Sequence, residues 1–163
     1  MFYKYDTILK KGRPSLVKEI SAYEAEKFIK TPQDAVEIIT EVLRLQEKTE
    51  EYVFTLCMNT KGKLKGFFEV SHGGVASSLV DSKTVFGKAL LIGTSNIILV
   101  HNHPSGDPTP SQEDINLTSR MAEIGRLLDL NLFDHLIVGG SESMLPHWIS
   151  IRESNPDLWD SWN

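Results

Sequence analysis

The alternation of apolar and polar positions divides the chain into short elements. Residues 1–30 are mixed in pattern, with Tyr3, Tyr5, Ile8, Leu16, Val17 and Ile20 suggesting one or two short extended pieces. Thr31-Pro32 then starts a helix, with Thr as cap, Pro in the first turn and Asp34 near the positive end of the dipole. Ala35, Val36, Ile39, Val42 and Leu43 recur at helical spacing, which carries this helix to about Glu47. The run from Glu51 to Met58 is rich in strand formers, Asn59-Thr60-Lys61-Gly62 is a turn, and Leu64 to Val70 reads as the returning strand of a hairpin. Gly73-Gly74 breaks it.

Asp81 caps a second helix, with Val85, Phe86, Ala89 and Leu90 expected inward and Gly93 as its stop. A strand over Ile97–His103 follows, then a loop rich in Pro and Gly, and a long helix from Ser111 to about Asp129. A further strand, Leu132 to Val138, ends at Gly139-Gly140, and residues 144–151 add an edge strand whose exposure would permit dimers. The tail, 157–163, is polar with two Trp and could dock on the body or bind a partner. There are no internal repeats and no low-complexity linker. Strand and helix alternate after residue 51, which predicts an α/β fold with a central mixed sheet flanked by helices.

Composition narrows the class. The 163 residues favour one domain, and 40% hydrophobic with 24% charged residues is ordinary for a soluble globular protein. No apolar run approaches the roughly 20 residues that span a bilayer. The first residues lack the apolar core of a secretion signal, and the single Cys57 cannot form an internal disulfide, so the chain is read as cytoplasmic. Cys57, inside a strand, reads as a small buried residue rather than a nucleophile. The net charge is −5, but residues 1–30 carry seven Lys or Arg against four Asp or Glu, about +3, which leaves −8 for the remainder. The basic spot Lys10-Lys11-Gly12-Arg13 is small for a protein that grips nucleic acid through phosphates. The balance counts against tight unaided DNA binding and leaves room for a local patch.

The most specific chemistry lies in His101-Asn102-His103-Pro104-Ser105-Gly106-Asp107-Pro108-Thr109-Pro110-Ser111-Gln112-Glu113-Asp114. Residues i and i+2 of a strand share a face about 6.5–7 Å apart, so both imidazoles can converge on one ion. Two imidazoles and a carboxylate suit Zn²⁺, and three protein ligands leave a fourth position for water, as in catalytic rather than structural sites. Singly, each piece has a plainer meaning. A His pair can be hydrogen-bonded surface imidazoles, Ser111 with Asp114 is a capping box, and Asp107 with the prolines shapes a turn. The joint pattern favours a metal.

These residues, with Pro110-Ser111, Asp114 and the later Asp134-His135-Leu136-Ile137-Val138-Gly139, closely resemble the RadC-like proteins of the JAB/MPN superfamily of metal-dependent isopeptidases. The superfamily pattern, His-x-His, seven residues, Ser, two residues, Asp, is complete here. The resemblance covers roughly residues 31–140. It implies a JAB/MPN, cytidine-deaminase-like architecture over 31–151, with 1–30 as an N-terminal extension and 152–163 as a tail. Full-length RadC proteins carry a helix-hairpin-helix-like region before this domain, so the chain is expected to be a stand-alone catalytic domain. By the resemblance, His101, His103 and Asp114 would bind Zn²⁺ and lower the pKa of its water to about 7. Ser111 would donate to a developing oxyanion. The superfamily's general base is a Glu before an earlier strand. Glu51 is the first choice, with Glu50 and Glu69 as alternatives and a solvated connector residue as the plainer meaning of Glu51. His135 is expected to support the site or fold rather than bind the ion, His72 to be exposed, and His147 has no assigned role. One departure stands out, since Ser82-Lys83-Thr84 replaces the family's usual Pro-Arg-Glu.

Three functions compete. The first is zinc-assisted hydrolysis of an amide or isopeptide bond in a protein or peptide substrate. The second is a nucleic-acid-associated protein, the family being commonly labelled DNA repair, with a metal-dependent nuclease as a sub-version. The third is a non-catalytic interaction domain, which retention of all three ligands disfavours.

Overall fold

Lys11 and Gly12 both have positive φ, 52° and 74°, the requirement of a two-residue primed turn. The chain reverses there, and Phe2–Lys10 (β1) pairs antiparallel with Arg13–Tyr23 (β2). The first thirty residues thus form two long strands rather than short extended pieces. The structure, a computed structural model, describes residues 1–74, 80–141 and 145–160, with the backbone alone at 20–22.

Thr31 caps Pro32–Ile38 (α1) with a reciprocal capping box to Asp34. The expected single helix to Glu47 is instead broken. A π turn over Ile39–Leu43 ends at Arg44, whose φ of 51° is left-handed, and a 3₁₀ turn follows over Leu45–Glu47. Of the apolar stripe, Ala35, Val36, Ile39 and Leu43 are buried and Val42 partly so, although the backbone is less regular than a single helix. Tyr52–Met58 (β3) and Leu64–His72 (β4) form the expected hairpin. Asp81 caps Ser82–Ile92 (α2), which ends at Gly93 with φ 69°. Leu90 is 54% exposed and the helix turns Ile92 inward in its place. Asn96–His103 (β5), Gln112–Leu127 (α3), Asn131–Gly139 (β6) and Trp148–Ser150 (β7) complete the main elements, followed by the short Ile151–Ser154 (α4) and Asp157–Asp160 (α5).

The seven strands form one mixed sheet in the order β2-β1-β4-β3-β5-β6-β7. β1 runs parallel to β4 and β5 parallel to β6, while the other neighbours are antiparallel. The first thirty residues therefore contribute two strands to the same sheet as the rest. β7 is an edge strand within the expected 144–151 segment, whose residue 144 lies outside the described residues.

Each face of the sheet has its own core. Phe54, Leu56, Met58, Ile98, Val100, Leu136 and Val138 pack with α1 and the turns after it. Val53, Cys57, Ile97 and Leu99 pack with Val85, Phe86 and Ala89 of α2 and Leu117 and Met121 of α3. Cys57 is buried as expected, and burial pushes its thiol pKa far up. The period of two then places His101 and His103 on the α3 face and Asn102 on the α1 face.

The tail docks through Trp159, whose Nε1 donates to the Leu132 carbonyl at 2.6 Å. Trp162 lies outside the described residues. Among the described residues no helix is long and apolar enough to cross a membrane.

Candidate metal centre

β5 ends at His103, and Ser111 caps the next helix, so strand end and helix start face each other across the Pro104–Pro110 turn. Gly106 N–H and Gly140 N–H both donate to the His103 carbonyl, at 3.1 and 2.7 Å, which ties the turn to the end of β6. Gly139 has no room for a side chain, because a Cβ there would overlap the Gly106 carbonyl. Small residues are thus required where the loop crosses the sheet edge.

The three expected ligands converge. His101 Nε2 lies 3.0 Å from His103 Nε2 and 3.2 Å from Asp114 Oδ1, and His103 Nε2 lies 3.5 Å from Asp114 Oδ2. Ligands about 2.0–2.1 Å from a tetrahedral ion sit roughly 3.3 Å apart, so these edges fit a small metal ion. One donor atom from each residue falls within 4.8 Å of the others, and the group could hold a metal ion.

His103 Nδ1 faces the Asp107 carbonyl at 2.9 Å, an oxygen that can only accept, so the neutral ring keeps its proton there and leaves Nε2 bare. Asp114 Oδ1 is buried without a hydrogen-bond partner. Asp114 Oδ2 accepts from the Ser111 N–H at 2.8 Å and the Ser111 hydroxyl at 2.7 Å. Two imidazole nitrogens and a carboxylate thus share a buried point with no strong donor between them when both rings are neutral. Such an arrangement is costly unless a cation or an extra proton occupies it.

The electrostatics agree. A proton on His103 would be held by the Asp114 carboxylate beside it, which raises His103 from its ordinary value against burial, with the Asp107 carbonyl and the Glu51 charge adding to the effect. Burial pushes Asp114 up, but the adjoining imidazoles of His101 and His103, once protonated, and the Ser111 hydrogen bonds outweigh it and hold the carboxyl far below the usual range.

A cleft of about 250 Å³ opens onto the ligands, lined by Glu51, His103, Pro104, Ser105, Ser111, Glu113 and Asp114. Glu51 therefore shares the cleft with two of the ligands. Glu50 and Glu69 do not line it. Glu69 instead contacts His72, which is exposed, at 2.6 Å. Ser111 reaches the site, but its one hydroxyl proton is directed at Asp114, so its first role here is to orient that ligand.

His135 approaches His101 rather than the ion, with Nε2 at 2.8 Å from His101 Nδ1. It is fully buried, and burial followed by the closeness of His101 drives its pKa well down. His147 contributes its backbone carbonyl to the Gly139 N–H. Two residues escaped the sequence reading. Thr118 contacts His135 Nδ1 at 2.6 Å. Asn102 has a side chain that accepts from the Tyr52 N–H at 2.8 Å and donates to the Glu50 carbonyl at 2.9 Å. The strand's period of two already sends Asn102 to the face opposite the histidines, a signal that could have marked it as a buried amide in need of partners.

Comparison with known proteins gives a family match and several similar chains. The family model described as the RadC-like JAB domain matches residues 29–155. A UPF0758 protein of Clostridium novyi is 39% identical over 142 residues, covering 86% of this chain and 59% of the relative. Another from Geobacillus thermodenitrificans is 37% identical over 133 residues, covering 82% and 56%. One from Methanosarcina barkeri is 39% identical over 116 residues, covering 71% and 50%. The chain thus spans about half the length of the curated relatives it matches.

Proposed function

We propose, from the premise that this chain belongs to the RadC-like JAB domain family, that it is a zinc-dependent hydrolase acting on an amide or isopeptide bond of a protein or peptide. One observation carries the reading, namely two bare Nε2 atoms and a partnerless carboxylate oxygen converging at a buried point. Two nitrogens and one oxygen at near-tetrahedral edges favour zinc over harder ions that take six or more oxygens. Bound there, the ion would supply Lewis acidity, bringing the pKa of a water to about 7 and polarising a carbonyl.

The chain's own residues supply the rest. Glu51, across the cleft from the ligands, would take the proton of the attacking water and deliver it to the leaving nitrogen. Ser111 orients Asp114, and rotation of its hydroxyl toward the cleft would let it donate to an oxyanion. Pro104 and Ser105 line the cleft wall against which an extended peptide would lie. We place the protein in the cytoplasm, where Cys57 would stay reduced.

Metal analysis tests the reading. The purified protein is expected to carry one zinc per chain, and His103→Ala and Asp114→Ala are each expected to lose it. A full equivalent retained by both variants would overturn the assignment.

A second reading, nucleic-acid binding with or without metal-dependent cleavage, draws on one observation. Lys10, Lys11 and Arg13 line a hollow at the tip of the β1–β2 hairpin, and none has an ion-pair partner among the described residues. A gel shift with single- and double-stranded DNA across salt separates the two readings, because phosphate binding weakens steeply as salt rises.

A further inference from the structure

The polar atoms behind His101 form a chain whose proton positions are determined by one carbonyl. Thr118 Oγ1 lies 2.6 Å from the Asp114 carbonyl and 2.6 Å from His135 Nδ1. A carbonyl oxygen only accepts, so the single hydroxyl proton goes to Asp114. The threonine oxygen then accepts the Nδ1 proton of His135. That leaves His135 Nε2 as an acceptor, 2.8 Å from His101 Nδ1, and the ring proton of His101 must sit on Nδ1. His101 Nε2 is left as a lone pair aimed at His103 and Asp114.

Running the chain in the opposite sense fails at both ends. Two oxygens would stand 2.6 Å apart with no hydrogen between them, and a proton on His101 Nε2 would point into the cation position. Thr118 and His135 are fully buried and His101 nearly so, leaving bulk water little access to relieve the wrong arrangement. The path leaves the Asp114 carbonyl and returns, through β6 and β5, to the Asp114 carboxylate. The ring proton of His103 is fixed differently, by a single backbone carbonyl of the exposed turn at Asp107.

We propose that Thr118 and His135 are positioning residues that fix the ring proton of His101 and so present a ready metal ligand. This rests on the metal reading above. Neither side chain is among the three converging ligands; Thr118 is anchored on the Asp114 carbonyl, and the proton order reaches the cation position through His101. Partners that orient a ligating imidazole are worth about 10–100-fold in metal affinity.

The test compares Thr118→Val, Thr118→Ser and His135→Phe with the unaltered chain. Zinc affinity is measured by competition with a chromophoric chelator, and imidazole nitrogen resonances are recorded on the metal-free protein. Thr118→Val and His135→Phe are expected to weaken zinc about 10–100-fold, and Thr118→Ser, which keeps the hydroxyl, to bind like the unaltered chain. The His101 resonances are expected to show Nδ1 protonated in the unaltered chain and a mixture in Thr118→Val. Wild-type affinity in Thr118→Val, or an Nε2-protonated His101 in the unaltered protein, would overturn the relay. Should His135→Phe fail to fold, the Thr118 pair and the resonances decide alone. If the unaltered protein binds no zinc, the metal reading fails as well, a different result from a relay that proves unimportant.

Discussion

Asn102 brackets Glu51, because its carboxamide bonds the backbone immediately before and after that residue. The strand that carries the two histidines thus also sets the height of the candidate base above them. Asn102→Ala would orphan the Glu50 carbonyl and the Tyr52 N–H at a cost of about 1–3 kcal/mol for each group left unsatisfied. Denaturant unfolding should show that loss, while zinc content stays at one per chain. Loss of the metal in this variant would mean that the clamp serves the ligands and not the base.

Glu51→Gln should keep its zinc and lose about 10²–10⁴ in turnover of any peptide or isopeptide substrate the protein cleaves, the usual contribution of a positioned proton carrier. Glu69→Gln, altered where the carboxylate meets His72, should turn over normally. Normal turnover by Glu51→Gln would move the base elsewhere.

The raised His103 pKa gives the metal-free protein a distinct pH response. A folded pKa above the unfolded value, about 6.5, means that protonation of His103 stabilises the fold. That contribution is complete below the unfolded value and fades as pH rises through the folded one. Asp114, with a depressed pKa, contributes above its unfolded value near 3.9 and is lost only in strong acid. The melting temperature of chelator-treated protein should therefore fall as pH rises above about 6.5, while that of zinc-loaded protein holds or rises because the cation takes the proton's place. Parallel curves for the two forms would contradict this.

Gly139→Ala would drive a methyl group into the Gly106 backbone, which cannot swing aside as a flexible side chain could. Overpacking of this kind costs about 1–3 kcal/mol, or about 2–4 °C of melting temperature per kcal/mol for a chain of this size. The loop should move away from β6, taking His103 with it, so calorimetry and zinc titration should worsen together. A stability loss with unchanged zinc affinity would show that the loop and the ligand move independently.

The parts legible in the sequence were those decided by local chemistry. Thr31, Asp81 and Ser111 announce helix starts because their side chains bond the next turn, and His101 and His103 share a face because a strand repeats every two residues. The parts that were not legible depend on distant partners. Phe2 stacks on Tyr23 and meets Phe67, pairings visible only once the hairpin is laid beside β4. Leu90 and Ile92 are both apolar, and which one faces inward depends on how α2 seats on the sheet. The contact from His135 to His101 needs β6 to run parallel beside β5, with Leu99 opposite His135. Thr118, one turn beyond Asp114, resembles any helical threonine until that histidine arrives.

All three ligands come from one strand-turn-helix step, and both edges of β5 are already hydrogen-bonded, to β3 on one side and β6 on the other. The ion would therefore rivet a hinge rather than hold up the building. If zinc is that ion and the protein the hydrolase proposed above, a cell short of zinc would be left with an intact, idle apoprotein that regains activity on resupply, in contrast to a zinc finger that collapses and must be made anew.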